Sequence, residues 1–92
     1  MIKSFRHKGL RQLFESGSHK GIEVGLKKRL QIQLDVLDAA RHPRDMDLPG
    51  FDFHQLKGQR QRQWSVTVRA NWRLTFRFEG GDAFDVDLED YH

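Results

Sequence analysis

Three runs of strict alternation fill the last third of the chain, and they constrain its fold more than any other feature. Trp64, Val66 and Val68 alternate with Ser65 and Thr67. Trp72, Leu74, Phe76 and Phe78 alternate with Arg73, Thr75 and Arg77, and Phe84, Val86 and Leu88 alternate with Asp85 and Asp87. Successive side chains of a strand point to opposite faces, so each run predicts a β-strand with one apolar and one polar face. A slip of one residue would invert a strand, so the two faces also specify the register. A two-residue turn at Gly80-Gly81 sets Phe76 against Asp85 and mixes the faces. A three-residue turn, Gly80-Gly81-Asp82, sets Phe78 against Phe84, Phe76 against Val86, Leu74 against Leu88, Arg77 against Asp85 and Arg73 against Glu89. The longer turn is therefore expected. The same test selects Arg69-Ala70-Asn71 for the preceding turn, with Asn71 in the left-handed conformation it tolerates, and puts Trp64 and Trp72 on the buried face.

Upstream, the apolar spacing changes. Residues 2–6 form a short candidate strand. Leu10, Leu13 and Phe14 sit at i, i+3, i+4 and predict a short helix ending near Gly17. Ile22, Leu26, Leu30, Leu34 and Leu37 recur every three to four residues and predict a longer helix from about Glu23 to Ala40. Leu30, Ile32, Leu34 and Val36 also alternate as a strand would, but the length of the segment and its Lys27-Lys28-Arg29 and Ala39-Ala40 flanks favour helix. Pro43 and Leu48-Pro49-Gly50 break the pattern, so 41–52 reads as a loop. The expected architecture is α+β: one domain over 1–92, with two N-terminal helices packed on one face of a small antiparallel sheet.

At 92 residues the chain buries only about 60–65% of its unfolded surface, which permits one small core. There is no cysteine for a disulfide or thiolate metal site, no apolar run of membrane length and no apolar stretch of signal-peptide type at Met1-Ile2-Lys3-Ser4-Phe5. A soluble, cytoplasmic protein is expected. Its charge is unevenly spread. Residues 1–30 carry eight Lys/Arg against two Glu, residues 31–53 two Arg against five Asp, residues 54–78 six Lys/Arg and no acid, and residues 79–92 six acids and no Lys/Arg. The basic blocks suit a polyanion such as RNA; equally, the second block can pair with the acidic tail across a sheet.

Three features carry possible chemistry. They are His54-Gln55-Leu56-Lys57-Gly58 before the first alternating run, Arg73 on the polar side of the middle run, and the closing Asp90-Tyr91-His92. The register places the C-terminal residues beside Arg73, with His54 and Lys57 approaching the first strand of the same sheet. RNA cleavage needs a base for the 2′-hydroxyl proton, an acid for the leaving 5′-oxygen and cations for the charge growing on phosphorus. Histidine serves either proton role near neutral pH. Asp85, Asp87 and Asp90 are candidate Mg²⁺ ligands, but their alternating positions facing arginines favour ion pairs. No metal and no cofactor is expected. Taken alone, these residues also fit a surface histidine, a cross-strand arginine pairing Glu89 or Thr67, and a frayed end.

Taken together, they resemble a known family. Met1-Ile2-Lys3-Ser4-Phe5 with His7-Lys8-Gly9-Leu10, Leu13-Phe14, Leu34-Asp35-Val36-Leu37-Asp38-Ala39-Ala40, His54-Gln55-Leu56-Lys57-Gly58, Trp64-Ser65-Val66-Thr67-Val68, Asn71-Trp72-Arg73-Leu74-Thr75-Phe76 and Asp90-Tyr91-His92 follow, in order and spacing, the pattern of HigB toxins of the RelE/ParE superfamily. The resemblance implies a RelE-type fold and an endoribonuclease that cleaves mRNA in the ribosomal A site, with adenine-rich codons preferred and a 2′,3′-cyclic phosphate product. It implies a HigA-like helix-turn-helix antitoxin as partner and joint repression of their operon. By resemblance, His54, Asp90, Tyr91 and His92 form the catalytic set, and Lys57 and Arg73 contact phosphate. Lys3, Lys8, Lys20, Lys27, Lys28 and Arg29 would grip ribosomal RNA. Gln59-Arg60-Gln61-Arg62-Gln63 carries no assignment. The competing readings are a gyrase inhibitor of ParE type, against which the closing Asp-Tyr-His argues, and an RNA-binding module without activity.

Overall fold

Glycine ends the first helix where the spacing predicts it. In the computed structural model, which describes residues 1–91, α1 covers Lys8–Ser16, and Gly17 closes it at φ 75 with its N–H donating to the Leu13 carbonyl. Its start is capped by the His7 ring, whose Nδ1 accepts from the Leu10 N–H at 3.1 Å. The second helix opens as a 3₁₀ turn, Val24–Leu26, and continues as α2, Lys27–Ala39. Leu26, Leu30, Leu34 and Leu37 are buried along one stripe of it, whereas Ile32 is 54% exposed. Strand alternation would have buried Ile32 with Leu30 and Leu34, so the helical period holds. The helix stops at Ala40, which is extended, just ahead of Pro43. The expected loop at 41–52 contains a 3₁₀ turn, Pro43–Met46, that plants Met46 in the core. The Asp45 carboxylate accepts the backbone N–H groups of Arg41 and His42 at 2.9 and 3.1 Å, and these hold its carboxyl below the ordinary range.

Four antiparallel strands follow: β1, His54–Gln55; β2, Gln63–Arg69; β3, Trp72–Glu79; and β4, Asp82–Asp90. They lie in the order β1-β2-β3-β4. The two residues of β1 pair His54 with Ser65 and Gln55 with Trp64. The candidate strand at 2–6 is reduced to two parallel bridges along β4, Ile2 to Ala83 and Phe5 to Val86.

Both hairpin turns correct the expectation. Each is two residues long, not three: Glu79 faces Asp82 around Gly80-Gly81, and Arg69 faces Trp72 around Ala70-Asn71. Positive φ at Gly80 and Gly81 matches the right-handed twist of the strands, which favours the short turn. A β-bulge in each hairpin then absorbs the odd residue, between Thr75 and Arg77 opposite Asp85 (φ 54), and between Thr67 and Arg69. Beyond the bulge, the face-matched pairs appear as predicted, Leu74 with Leu88 and Arg73 with Glu89. Between bulge and turn they do not. Phe78 faces Ala83, and Arg77 faces Phe84. Phe84, expected inside, lies under the Arg77 guanidinium, 4.7 Å from ring centre to Cζ, and Ala83 is buried instead. Ala70 (φ 51), rather than Asn71, takes the left-handed conformation.

Both helices pack on one face of the sheet, as expected. Leu10, Leu13, Leu30, Leu34 and Leu37 meet Val66, Leu74, Phe76, Val86 and Leu88 in one cluster, and Trp64 and Trp72 pack half-buried against it. No helix of the described residues is long and apolar enough to cross a membrane. The opposite face presents Ser65, Thr67, Arg73, Thr75, Asp87 and Glu89.

Candidate functional site

His54 reaches this polar face because the chain kinks just before it. Asp52 adopts φ 50, a left-handed conformation that aspartate tolerates, and its carboxylate accepts the Thr67 hydroxyl at 3.2 Å. Its carbonyl oxygen lies 3.0 Å from His54 Nδ1. A carbonyl only accepts, so Nδ1 carries the hydrogen in the neutral ring and the lone pair is left on Nε2. Nε2 lies 3.4 Å from the Ser65 hydroxyl, over the sheet face. The ring is exposed, so a substrate can reach it. Lys57, also exposed, follows at the head of the 3₁₀ turn Gly58–Arg60.

At the other edge, β4 runs its last residues along the start of β3. Asp90 lies opposite Trp72, and the Tyr91 N–H donates to the Asn71 carbonyl at 2.7 Å. The chain end therefore passes beside Arg73, as the register predicts; His92 lies outside the described residues. His54 and Asp90 occupy opposite edge strands, separated by three strand spacings of about 4.8 Å. The sheet thus sets them on opposite edges rather than in contact, with Asp90 turned to the face of Trp72 and Glu89 to the polar face.

The Arg73 side chain departs from the simple cross-strand picture. Its Cα is registered against Glu89 and Thr67, but Nη1 turns to the hairpin and donates to the Ala70 carbonyl at 2.8 Å. Glu89 is taken by Arg60. Arg60 Nη1 and Nη2 donate to the two carboxylate oxygens of Glu89 at 2.9 and 2.5 Å, while Nε and Nη2 reach Gln63 Oε1 at 2.9 and 2.6 Å. The Thr75 hydroxyl adds a third donor to Glu89 at 2.6 Å. Arg60 thus spans the middle of the face between the expected site residues. Nothing in Gln59-Arg60-Gln61-Arg62-Gln63 distinguishes Arg60 from Arg62 by sequence alone. Only the 3₁₀ turn decides which of them points across the sheet.

Pairing of the second basic block with the acidic tail is therefore real but partial. Arg60 is joined to Glu89, and Arg77 to Asp85 at 2.8 Å and Glu79 at 2.7 Å. Among the described residues, no ion pair takes in Lys57 or Arg73. Of the first block, Arg29 is drawn inward: it donates to the Gly50 carbonyl at 2.6 Å and lies 5.5 Å over the Phe51 ring, fastening the 41–52 loop.

The Arg60 hydrogen bonds, then that of Thr75, hold the Glu89 carboxyl below its ordinary value of 4.5 against the opposing effect of burial. A carboxylate whose folded pKa is depressed stabilises the fold above its unfolded pKa. That stabilisation is lost as pH falls through the folded value. Glu89→Gln is accordingly expected to cost about 1 kcal/mol at pH 7, the partly exposed pair being discounted for screening. The gap to the native chain should narrow as pH falls through the depressed folded value; melting curves at pH 7 and through the acid range measure it, and a constant gap would contradict the ion pair.

Comparison with known proteins adds to this geometry. A family described as RelE-like toxin of the type II toxin-antitoxin system HigB matches residues 3–92. The chain is similar to Endoribonuclease HigB of Proteus vulgaris, 46% identical over 92 residues and covering all of both chains. It is also similar to Toxin HigB-1 of Vibrio cholerae serotype O1, 31% identical over 91 residues, 97% of this chain and 96% of that one.

Proposed function

This chain belongs to the HigB family of RelE-like toxins of type II toxin-antitoxin systems, and from that premise we propose that it is an endoribonuclease that cuts mRNA in the ribosomal A site and so halts translation. The relative from Proteus vulgaris is itself named an endoribonuclease. The observation that carries the reading is His54. Its Nδ1 is occupied by the Asp52 carbonyl, and its Nε2, which accepts the Ser65 hydroxyl at 3.4 Å, borders a polar face along whose far edge strand the chain runs out through Glu89 to Tyr91.

An RNA strand lying over this face would meet a base at one edge and the C-terminal residues at the other. In the step we propose, His54 Nε2 takes the proton of the 2′-hydroxyl, and the resulting oxygen attacks the adjacent phosphorus. The P–O5′ bond breaks, leaving a 2′,3′-cyclic phosphate. His92 or Tyr91 returns a proton to the departing 5′-oxygen, with Asp90 orienting the imidazole and the Tyr91 ring stacking on a base. Lys57 and Arg73 supply positive charge to the phosphorane oxygens. Arg73 must swing away from the Ala70 and Trp72 carbonyls to do so, which exchanges two neutral acceptors for an anionic one. Every proton in this scheme moves on a side chain, so the proposed reaction calls for no metal. Of the candidate carboxylates, Asp85 is committed to Arg77.

A type II toxin is held by a protein antitoxin, and a HigA-like helix-turn-helix protein is the partner proposed here. The whole span 1–92 acts as one toxin domain in the cytoplasm, where the ribosome is. Lys3, Lys8, Lys20 and Lys28, all exposed, are offered to ribosomal RNA. Primer extension on mRNA after induction provides the test. Codon-phased cuts are expected with the native chain, and His54→Ala should lower their frequency by roughly 10²–10⁴-fold. Uncut mRNA accompanied by altered DNA supercoiling would replace this reading with gyrase inhibition.

A further inference from the structure

We propose that Arg60 and Glu89 form a clamp that positions the C-terminal catalytic residues relative to the segment bearing His54 and Lys57; this rests on the nuclease reading above. The clamp links, side chain to side chain, two halves of the site that the sheet also joins. Arg60 ends the 3₁₀ turn that begins one residue after Lys57, and Glu89 immediately precedes Asp90. From the turn, the Arg60 guanidinium crosses β2, where it holds Gln63, and β3, where Thr75 shares its carboxylate, before reaching Glu89 on β4.

The count of hydrogen bonds shows what the guanidinium does. It has five N–H donors, and the contacts to Gln63 and Glu89 engage four of them. A cation so occupied has little left to offer a phosphate, so it acts as a tie. Most exposed ion pairs contribute little, but a two-pronged arginine–carboxylate contact inside a network is the exception, because the planar fork fixes direction as well as distance. Lysine, a point charge on a flexible stem, cannot reproduce that fork. Beyond Glu89, the described chain end is held through the Asp90–Trp72 pairing and the Tyr91 N–H to the Asn71 carbonyl. Releasing Glu89 frees this last stretch at its root. A misplacement of about 1 Å in a reacting group is enough to cost on the order of 10²-fold in rate.

The test uses the full chain in two measurements. In cleavage of mRNA on programmed ribosomes, Arg60→Lys and Glu89→Ala should each lower kcat by about 10–100-fold while KM stays within about threefold. The reciprocal double variant R60E/E89R should recover about tenfold of that loss. In amide hydrogen exchange, the Tyr91 amide should exchange roughly tenfold faster in both single variants while the Leu30 and Leu34 amides are unchanged. Because exchange is read without substrate, it decides the clamp even if the native chain cuts no ribosome-bound mRNA, a result that would remove the nuclease reading alone. Should a single variant fail to fold, Glu89→Gln, which keeps the shape and the acceptor atom, replaces it in both measurements. A raised KM with kcat intact would make Arg60 an RNA contact and overturn the clamp. Unchanged exchange at Tyr91 would overturn it too.

Discussion

Deleting Tyr91 and His92 is expected to abolish growth arrest on induction and to leave the protein folded. The two halves of this expectation have different causes. Tyr91 is 43% exposed, and its described tie to the fold is one hydrogen bond from its N–H to the Asn71 carbonyl. Losing that bond costs about 1 kcal/mol, a fall in melting temperature of roughly 4–8 °C for a domain of this size. The proposed reaction loses far more, since the phenol and the terminal imidazole are its candidate proton donors. General acid catalysis alone accounts for about 10²–10⁴-fold in rate. Growth curves after induction, with thermal melts of the purified chain, separate the two effects. Full toxicity of the shortened chain would refute the assignment of the C-terminus.

A large loss of stability is expected from Leu34→Ala. Leu34 is fully buried on the inner stripe of α2, against the sheet. Truncating a leucine at such a site removes its transfer free energy and leaves a cavity that the surroundings only partly fill, for a cost of about 2–5 kcal/mol. A chain of 92 residues has roughly 5–14 kcal/mol of total stability, so this one change consumes a large part of it. The melting temperature should fall by roughly 10–30 °C. Ile32→Ala is the internal control. Only two positions away on the same helix, Ile32 is 54% exposed, and its truncation should shift stability by no more than about 0.5 kcal/mol. Comparable losses at the two positions would mean that the segment buries both, as a strand would.

That contrast also shows how the fold was legible. The spacing of Leu26, Leu30, Leu34 and Leu37 and the alternation in the last third are periods imposed by burial on one face, and each element they predict is present. The turns differ from the sequence expectation for a physical reason. Matching faces across a hairpin sets the sum of turn and bulge, not their division. A three-residue turn and a two-residue turn with a bulge give the same register at Leu74 and Leu88. The difference surfaces only near the turn, where Phe84 moves to the polar side and Ala83 replaces it in the core. The two-residue β1 has too few residues to show any period, and its pairing with Ser65 and Trp64 was invisible for that reason.

The site divides along the same line. Position along the chain and register sufficed to set His54 on one edge of the polar face, Arg73 within it and the chain end along the opposite edge strand, because backbone pairing orders Cα atoms; alternation turns Asp90 to the other face, with Trp72. The rest was decided by tertiary structure. It turned Arg73 onto its own hairpin, chose Arg60 over Arg62 to hold Glu89, and drew Arg29 away from the surface. Long charged side chains have many rotamers of similar energy. Which acceptor each one finds depends on carbonyls and carboxylates brought close only when the sheet and its loops are assembled.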